Sequence, residues 1–332
     1  MLDQFGRRIN YLRVSVTDRC NLRCRYCMPE EGVQMLDHKD ILNFDEILKV
    51  CSICTQLGIS RIKVTGGEPL VRKGIGTLIS SMKQLHGIDE VTLTTNGILL
   101  KEQMQELSDA GIDGINISID TLDPKKYKRY TRRDCLSSAL EGLKEAMRYS
   151  DIRVRINCVT LLGENNDQWT RIAGIAKNHP VDVRFIELMP IGIGHSDPGG
   201  SQEIVYNRLV EEFGEGTFLK GKFGNGPAVY MSFPDFCGKI GFISAISHQF
   251  CGDCNRIRLT SDGFMKPCLQ YSMGADLKKL LREGAADEEI RHVIEELIFN
   301  KPRSHQFSKS DNELSEEKKD CLEDRMMSGI GG

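Results

Sequence analysis

The 332-residue chain has no uninterrupted apolar run approaching the roughly 18 residues of a membrane-spanning helix, so no span is expected. Its first residues, Met1-Leu2-Asp3-Gln4-Phe5-Gly6-Arg7-Arg8, lack the apolar stretch of a secretory signal, and the expected location is the cytoplasm. An excess of one charge sign is also missing. Lys and Arg number 44 against 47 Asp and Glu, a net charge of −3, which excludes the global basic field that nucleic acid or an anionic membrane surface calls for. No low-complexity tract and no solenoid-type repeat is found. Cysteine, by contrast, is plentiful. In a reducing compartment its 12 copies are more often metal ligands or buried thiols than disulfides. With 40% hydrophobic residues, the chain can bury a substantial core without such staples.

Between Leu12 and Leu188 one plan recurs: a short alternating run, a turn, then a segment of helical spacing. Strands are expected at 12–17, 60–65, 91–95, 114–120, 152–159 and 182–188. Helices are expected between them, for example at 45–57, before Gly58, at 102–110, before Gly111, and at 137–149. Strands alternating with helices indicate right-handed βαβ crossovers and a parallel sheet. The predicted fold is therefore α/β, a partial (β/α)6 barrel of the TIM type over residues 1–195, followed by a C-terminal α+β extension over 196–332. In the extension, a helix is expected at 202–213, strands at 228–233, 239–242 and 255–260, and helices at 275–282 and 287–299. The tail from Ser304 to Gly332 is charged and weakly periodic, and partial mobility is expected there.

Parallel strands covered on both faces usually read as continuous apolar runs, but these alternate. Leu12, Val14 and Val16 oppose Arg13, Ser15 and Thr17, and Ile62 and Val64 oppose Arg61 and Lys63. Ile115, Ile117 and Ile119 oppose Asn116, Ser118 and Asp120, and Ile152, Val154 and Ile156 oppose Arg153, Arg155 and Asn157. If the apolar faces meet the helices, the polar faces line the lumen. Desolvating each unpaired cation costs several kcal/mol, so such a lumen calls for an anionic occupant. A one-layer open sheet with a solvated face is the alternative.

Cys20, Cys24 and Cys27 follow the first strand, and no further Cys or His appears until His38. Three thiolates so close can wrap one metal centre and leave a coordination position open, as in a four-iron cluster with three protein ligands. A structural zinc site completed by a distant ligand has the same spacing. Cys251, Cys254 and Cys268 form a second set of three, with His248 as the only nearby candidate for a fourth ligand and zinc again open. Arg256 and Arg258, two apart on an expected strand, point the same way. Such like charges repel unless an anion lies between them, although a solvated face would also tolerate them. Thr65-Gly66-Gly67-Glu68-Pro69 ends the second strand at the rim where barrels place their active sites, and its carboxylate is suited to an ammonium. Thr94, Asn96 and Ser118 end the next two strands at the same rim. Cys51 and Cys54 fall within a helical apolar pattern and are expected to be core, and Cys135, Cys158, Cys237 and Cys321 are isolated. His195 and His248 lie in loops without a catalytic partner in sequence.

The C-x₃-C-x₂-C segment with Tyr26 before its last cysteine, together with Gly66-Gly67-Glu68-Pro69, resembles the radical S-adenosylmethionine (SAM) enzymes. More narrowly, Phe5-Gly6-Arg7, Tyr11-Leu12-Arg13, Thr17-Asp18-Arg19-Cys20-Asn21, Arg184-Phe185-Ile186-Glu187-Leu188-Met189-Pro190, the second cysteine set with Asn255 to Thr260, and the terminal Gly331-Gly332 are similar to the GTP 3′,8-cyclase family of molybdenum cofactor biosynthesis. This resemblance implies two [4Fe-4S] clusters: one on Cys20, Cys24 and Cys27 that binds SAM, and one on Cys251, Cys254 and Cys268, in the extension, that meets the guanine. It implies that Tyr26, Gly66, Gly67, Glu68, Pro69, Thr94, Asn96 and Ser118 position SAM. Arg13, Arg61, Lys63, Arg155, Arg184, Arg256 and Arg258 would hold GTP, and Gly331 and Gly332 would join Arg13, Arg256 and Arg258 in catalysis. Gly332→Ala is expected to lower turnover with both clusters intact. The implied reaction joins ribose C3′ of GTP to guanine C8, giving (8S)-3′,8-cyclo-7,8-dihydroguanosine 5′-triphosphate. The implied partners are a reducing electron donor and, downstream, cyclic pyranopterin monophosphate synthase, with a homodimer left open and no nucleic acid or membrane. The resemblance implies a departure at Leu162, where related chains usually carry a lysine, and with it a weaker polyphosphate grip unless Arg155 or another base compensates. A peptide-modifying radical SAM enzyme and a zinc- or iron-sulfur-binding structural protein are the rival readings.

Overall fold

The alternating apolar positions of the first half become one buried face of a single sheet. In the computed structural model, which describes residues 1–196, 199–221, 223–307 and 322–331, β1 (Tyr11–Ser15), β2 (Arg61–Thr65), β3 (Glu90–Thr95), β4 (Gly114–Ser118), β5 (Arg153–Thr160) and β6 (Asp182–Glu187) pair in that order. All five pairings are parallel. Among the connections lie α1 (Phe44–Gln56), α2 (Ile75–Gln84), α3 (Leu100–Asp109), α4 (Pro124–Thr131), α5 (Leu136–Ala146) and α6 (Trp169–Asn178). Local chemistry marks their ends. Asn43 caps α1 by accepting the Glu46 amide at 2.9 Å, while the Glu46 carboxylate accepts the Asn43 amide at 2.8 Å. Gly58, at φ 84°, then turns the chain out of the helix.

Leu12, Val14, Ile62, Val64, Leu93, Ile115 and Ile117 are wholly buried in the same core as Ile47, Val50, Ile79 and Met104 of the helices. Each such side chain contributes roughly 1.5–3 kcal/mol by leaving water. Cys51 and Cys54 lie in this core, as their helical spacing predicts. The opposite face is also sealed. Lys63, Arg155, Arg184 and Arg258 are each 8% exposed or less, which rules out a solvated open sheet.

The extension reaches both edges of this sheet. After α7 (Gln202–Phe213) come β7 (Thr217–Phe218), β8 (Val229–Ser232), β9 (Ile240–Ile243), β10 (Arg256–Leu259), β11 (Phe264–Lys266) and β12 (Ala275–Asp276). β10 adds parallel to β1, and β9 adds parallel to β6. Eight adjacent parallel strands result, with antiparallel β11–β12 beyond one edge and β8–β7 beyond the other. Among the described residues the sheet does not close. The helix expected at 275–282 starts later than its sequence pattern, because Ala275 pairs with Met265 and the Asp276 carboxylate caps the Lys279 amide. α8 (Leu277–Arg282) and α9 (Asp287–Phe299) follow. The end of the tail is packed: Glu323, Ser328 and Ile330 are buried, and α10 (Met327–Ile330) packs back into the molecule. Cys321 and Gly332 lie outside the described residues. Among the described residues, no helix is long and apolar enough to cross a membrane.

Candidate active site

The polar strand faces enclose a cavity of about 330 Å³, within the roughly 300–1,000 Å³ of small-molecule sites. All six cysteines of the two sets line it, as do Arg13, Lys63, Arg155, Arg184, Arg256 and Arg258. Five strands far apart in sequence thus bring these cationic groups to one space, because alternate positions of neighbouring parallel strands share a face. Tyr26, Gly66, Gly67, Glu68, Thr94, Asn96 and Ser118 also line the cavity. Arg61 and Pro69 do not: Arg61 is half-buried at the start of β2, and Pro69 is buried in the turn after it.

The first cysteine loop is held from two sides. The Arg23 and Arg25 amides donate to the Thr131 and Tyr130 carbonyls at 2.9 Å, fixing it to α4. The Gly67 and Glu68 amides donate to the Thr17 and Arg19 carbonyls, each at 2.8 Å. A Cβ on Gly66 would stand 2.7 Å from the Thr17 oxygen, and one on Gly67 would stand 2.4 Å from the Arg19 oxygen. The paired glycines are therefore required for contact between loops. Among the described residues Glu68 meets no ammonium. Its carboxylate accepts from the Thr95 hydroxyl at 2.7 Å and from the Asn96 and Leu70 amides at 2.7 and 3.1 Å. Burial pushes this carboxyl up to about 7, against those hydrogen bonds. The Tyr26 hydroxyl donates to Asp120 at 2.7 Å, and burial pushes the Asp120 carboxyl up to about 6.

The two cysteine sets differ electrostatically. Burial pushes the Cys20 thiol up to about 11 and Cys27 to about 12, so a bound cationic centre is needed to make them thiolates near neutrality. Burial also acts on Cys254, but the Arg256 and Lys301 cations outweigh it and bring that thiol down to about 7. Among the described residues, no three His, Cys, Asp or Glu side chains are grouped so as to hold one metal ion. All three donors of each set are sulfur, the donor type that iron-sulfur clusters take. His38 is exposed, and His248 is 57% exposed and paired with Glu203, so neither completes a set.

The cations repel one another. Burial, then Arg184, Arg13 and Arg155, hold the Lys63 ammonium well below its ordinary range. Burial, then Arg13 and Arg256, bring Arg258 down to about 9. An anion in the cavity would relieve both effects. The tail supplies a neutral oxygen instead: the Gly331 carbonyl accepts from Arg13 at 3.2 Å and Arg258 at 3.4 Å. Gly331 has φ 75°, and a Cβ there would stand 2.9 Å from Ser15 Cβ. Leu162 is exposed outside the cavity, whereas Arg155 lies inside it and pairs with Asp182 at 3.3 Å.

Sequence patterns did not single out several residues of this site. Arg7, Lys301 and His305 lie around the second cysteine set, and Phe250, His305 and Phe307 form an aromatic wall beside it. The buried Glu187 carboxylate accepts the Ile246 and Ser247 amides at 2.7 and 2.9 Å, anchoring the approach to Cys251. Arg7 and Glu187 stand within the family-like segments, which was the available signal. Lys301 and His305 follow α9 without any periodic or motif cue.

Comparison with known proteins matches residues 14–174 to the Radical SAM superfamily and residues 181–307 to Molybdenum Cofactor Synthesis C. The GTP 3′,8-cyclases of Clostridium perfringens (strain SM101 / Type A) and Heliobacterium modesticaldum are each 42% identical over 335 residues, covering 100% of both chains. That of Peptoclostridium acidaminophilum is 44% identical over 92% of this chain and 93% of its own. Among solved structures, Streptococcus suis SuiB bound to precursor peptide SuiA has a TM-score of 0.61 at 13% identity, covering 95% of this chain and 70% of that one. At that identity the likeness concerns the fold.

Proposed function

From the premise that the chain belongs to the GTP 3′,8-cyclase family of radical SAM enzymes, we propose that its cavity converts GTP to (8S)-3′,8-cyclo-7,8-dihydroguanosine 5′-triphosphate, early in molybdenum cofactor biosynthesis. The observation that carries this reading is the opening of both cysteine sets into one cavity lined, among the described residues, by eight buried or half-buried Lys and Arg side chains. Cys20, Cys24 and Cys27 hold a [4Fe-4S] cluster, and Cys251, Cys254 and Cys268 hold a second. With SAM bound, the first cluster would supply radical chemistry to the nucleotide beside it. The protein residues orient and enclose the reactants. Lys63, Arg155, Arg184 and Arg258 neutralise the triphosphate, with Arg13 and Arg256 alongside. The wall of Phe250, His305 and Phe307 offers a planar base an apolar surface beside the second set. Tyr26, Gly66, Gly67, Glu68, Thr94, Asn96 and Ser118 form the rim for SAM, and Gly331 brings the tail against Arg13 and Arg258.

Residues 1–195 act as the radical-generating part and 196–332 as the extension that completes the substrate site. The proposed setting is the cytoplasm, with a reducing electron donor and with cyclic pyranopterin monophosphate synthase consuming the product. Anaerobic reconstitution tests the reading: about eight irons per chain and GTP-dependent 5′-deoxyadenosine formation are expected. Two zinc ions per chain with no SAM cleavage would refute it.

A further inference from the structure

The second cysteine set is gripped by buried groups that its own loop does not supply. Arg7 reaches it from the N-terminus, donating to the Cys251 and Arg303 carbonyls at 2.9 Å each and to the Pro302 carbonyl at 2.7 Å. Lys301 Nζ donates to the Arg256 carbonyl at 3.0 Å and to the Pro267 carbonyl. Arg256 lies two residues after Cys254, and Pro267 immediately precedes Cys268. The His305 amide donates to Cys251 Sγ at 3.4 Å. The segment 301–305 and Arg7 therefore form a collar whose hydrogen bonds end on or beside all three cysteines.

The two cations of this collar differ in charge balance. Arg7 has its counter-charge at hand, because Asp3 Oδ2 lies 2.6 Å from its Nε. Lys301, only 2% exposed, is held by carbonyls, and among the described residues no carboxylate pairs with it. Carbonyls satisfy the ammonium hydrogens but leave a net positive charge under the protein surface, which is costly without an anionic neighbour. Thiolates carrying a cluster are such a neighbour, and the net charge around a cluster and the hydrogen bonds to its sulfurs set its reduction potential.

We propose that Lys301 is a positioning and charge-setting residue for the second centre: held in the Arg7 collar, its ammonium makes the cluster on Cys251, Cys254 and Cys268 easier to reduce. This rests on the reading that the second set holds an iron-sulfur cluster. The test compares wild type, Lys301→Gln, which keeps an N–H donor but loses the charge, and Lys301→Arg, which keeps both. Iron content is determined on the reconstituted full chain, and both centres are followed in an EPR-monitored redox titration, with the first centre as internal reference. In Lys301→Gln the second centre's midpoint is expected to fall while the first stays in place, and Lys301→Arg is expected to return it toward wild type. Loss of the second centre in Lys301→Gln, restored by Lys301→Arg, would equally support the assignment. An unchanged midpoint in fully loaded Lys301→Gln, or loss of the second centre in both variants, would overturn it. Wild type that takes up only about four irons would instead defeat the underlying cluster reading.

Discussion

Lys63 shows how much one lumen residue can be asked to do. It is buried among Arg13, Arg155 and Arg184, whose fields oppose its charge, so an anionic ligand gains a cation that the fold by itself destabilises. A charge-assisted hydrogen bond is worth about 1.5–3 kcal/mol. Lys63→Met is therefore expected to raise the KM for GTP about 10- to 100-fold with iron content unchanged and kcat little altered, as steady-state assays of the reconstituted enzyme can check. Glu68 carries the opposite problem. Its folded carboxyl is raised from 4.5 to about 7, so the stability of its protonated form is present below about 4.5 and is lost as pH rises through about 7. Glu68→Gln is expected to flatten that part of the stability profile between pH 4.5 and 7, measured as denaturant midpoints against pH. Gly66 and Gly67 were legible in sequence as a site motif. The reason for them was not, since the oxygens they accommodate belong to Thr17 and Arg19, roughly fifty residues earlier, and touch them only after β1 and β2 have paired.

At the scale of elements, strand positions and their two faces followed from alternation alone, because the side-chain period of two is a backbone property. The C-terminal segment 322–331 forms a strap held on β11 and the loop after it. Its sequence is charged, but Glu323 meets Lys266 in an ion pair that is almost wholly buried, the Glu323 amide donates to the Gln270 carbonyl at 2.6 Å, and Arg325 lies over the Phe264 ring. Charge read as solvation was here an internal bond, and no local pattern distinguishes the two. Removing one partner of a buried pair costs about 3–5 kcal/mol, whereas replacing both with apolar groups is often neutral. Glu323→Ala is thus expected to free the strap to limited proteolysis around Arg325, and Lys266→Met with Glu323→Leu to restore protection, as mass spectrometry of the digests would reveal. The same release would withdraw the Gly331 carbonyl from Arg13 and Arg258 and lower turnover.

For the whole molecule, the extension is continuous with the barrel wall, since β10 and β9 each add a parallel strand to one edge of the same sheet. A chain cut to residues 1–195 leaves β1 and β6 with unpaired backbone and uncovers the cationic face. It is expected to aggregate, with a loss of monomer that size-exclusion chromatography would register, whereas the full chain stays dispersed. The near-neutral charge of −3 coexists with this interior because an excess of acidic over basic residues in the rest of the chain offsets the cations of the cavity. By itself the sequence determined the βα order, the placing of Arg13, Lys63 and Arg155 on the polar faces of their strands, and the two cysteine sets, since periodicity and short spacing are local properties. Only the tertiary structure decided that both sets face one cavity, that Arg61 and Pro69 stand apart from it, and that Arg7, Lys301 and the strap complete it. Those relations join residues hundreds of positions apart, and they arise from strand pairing and burial, which no local pattern encodes.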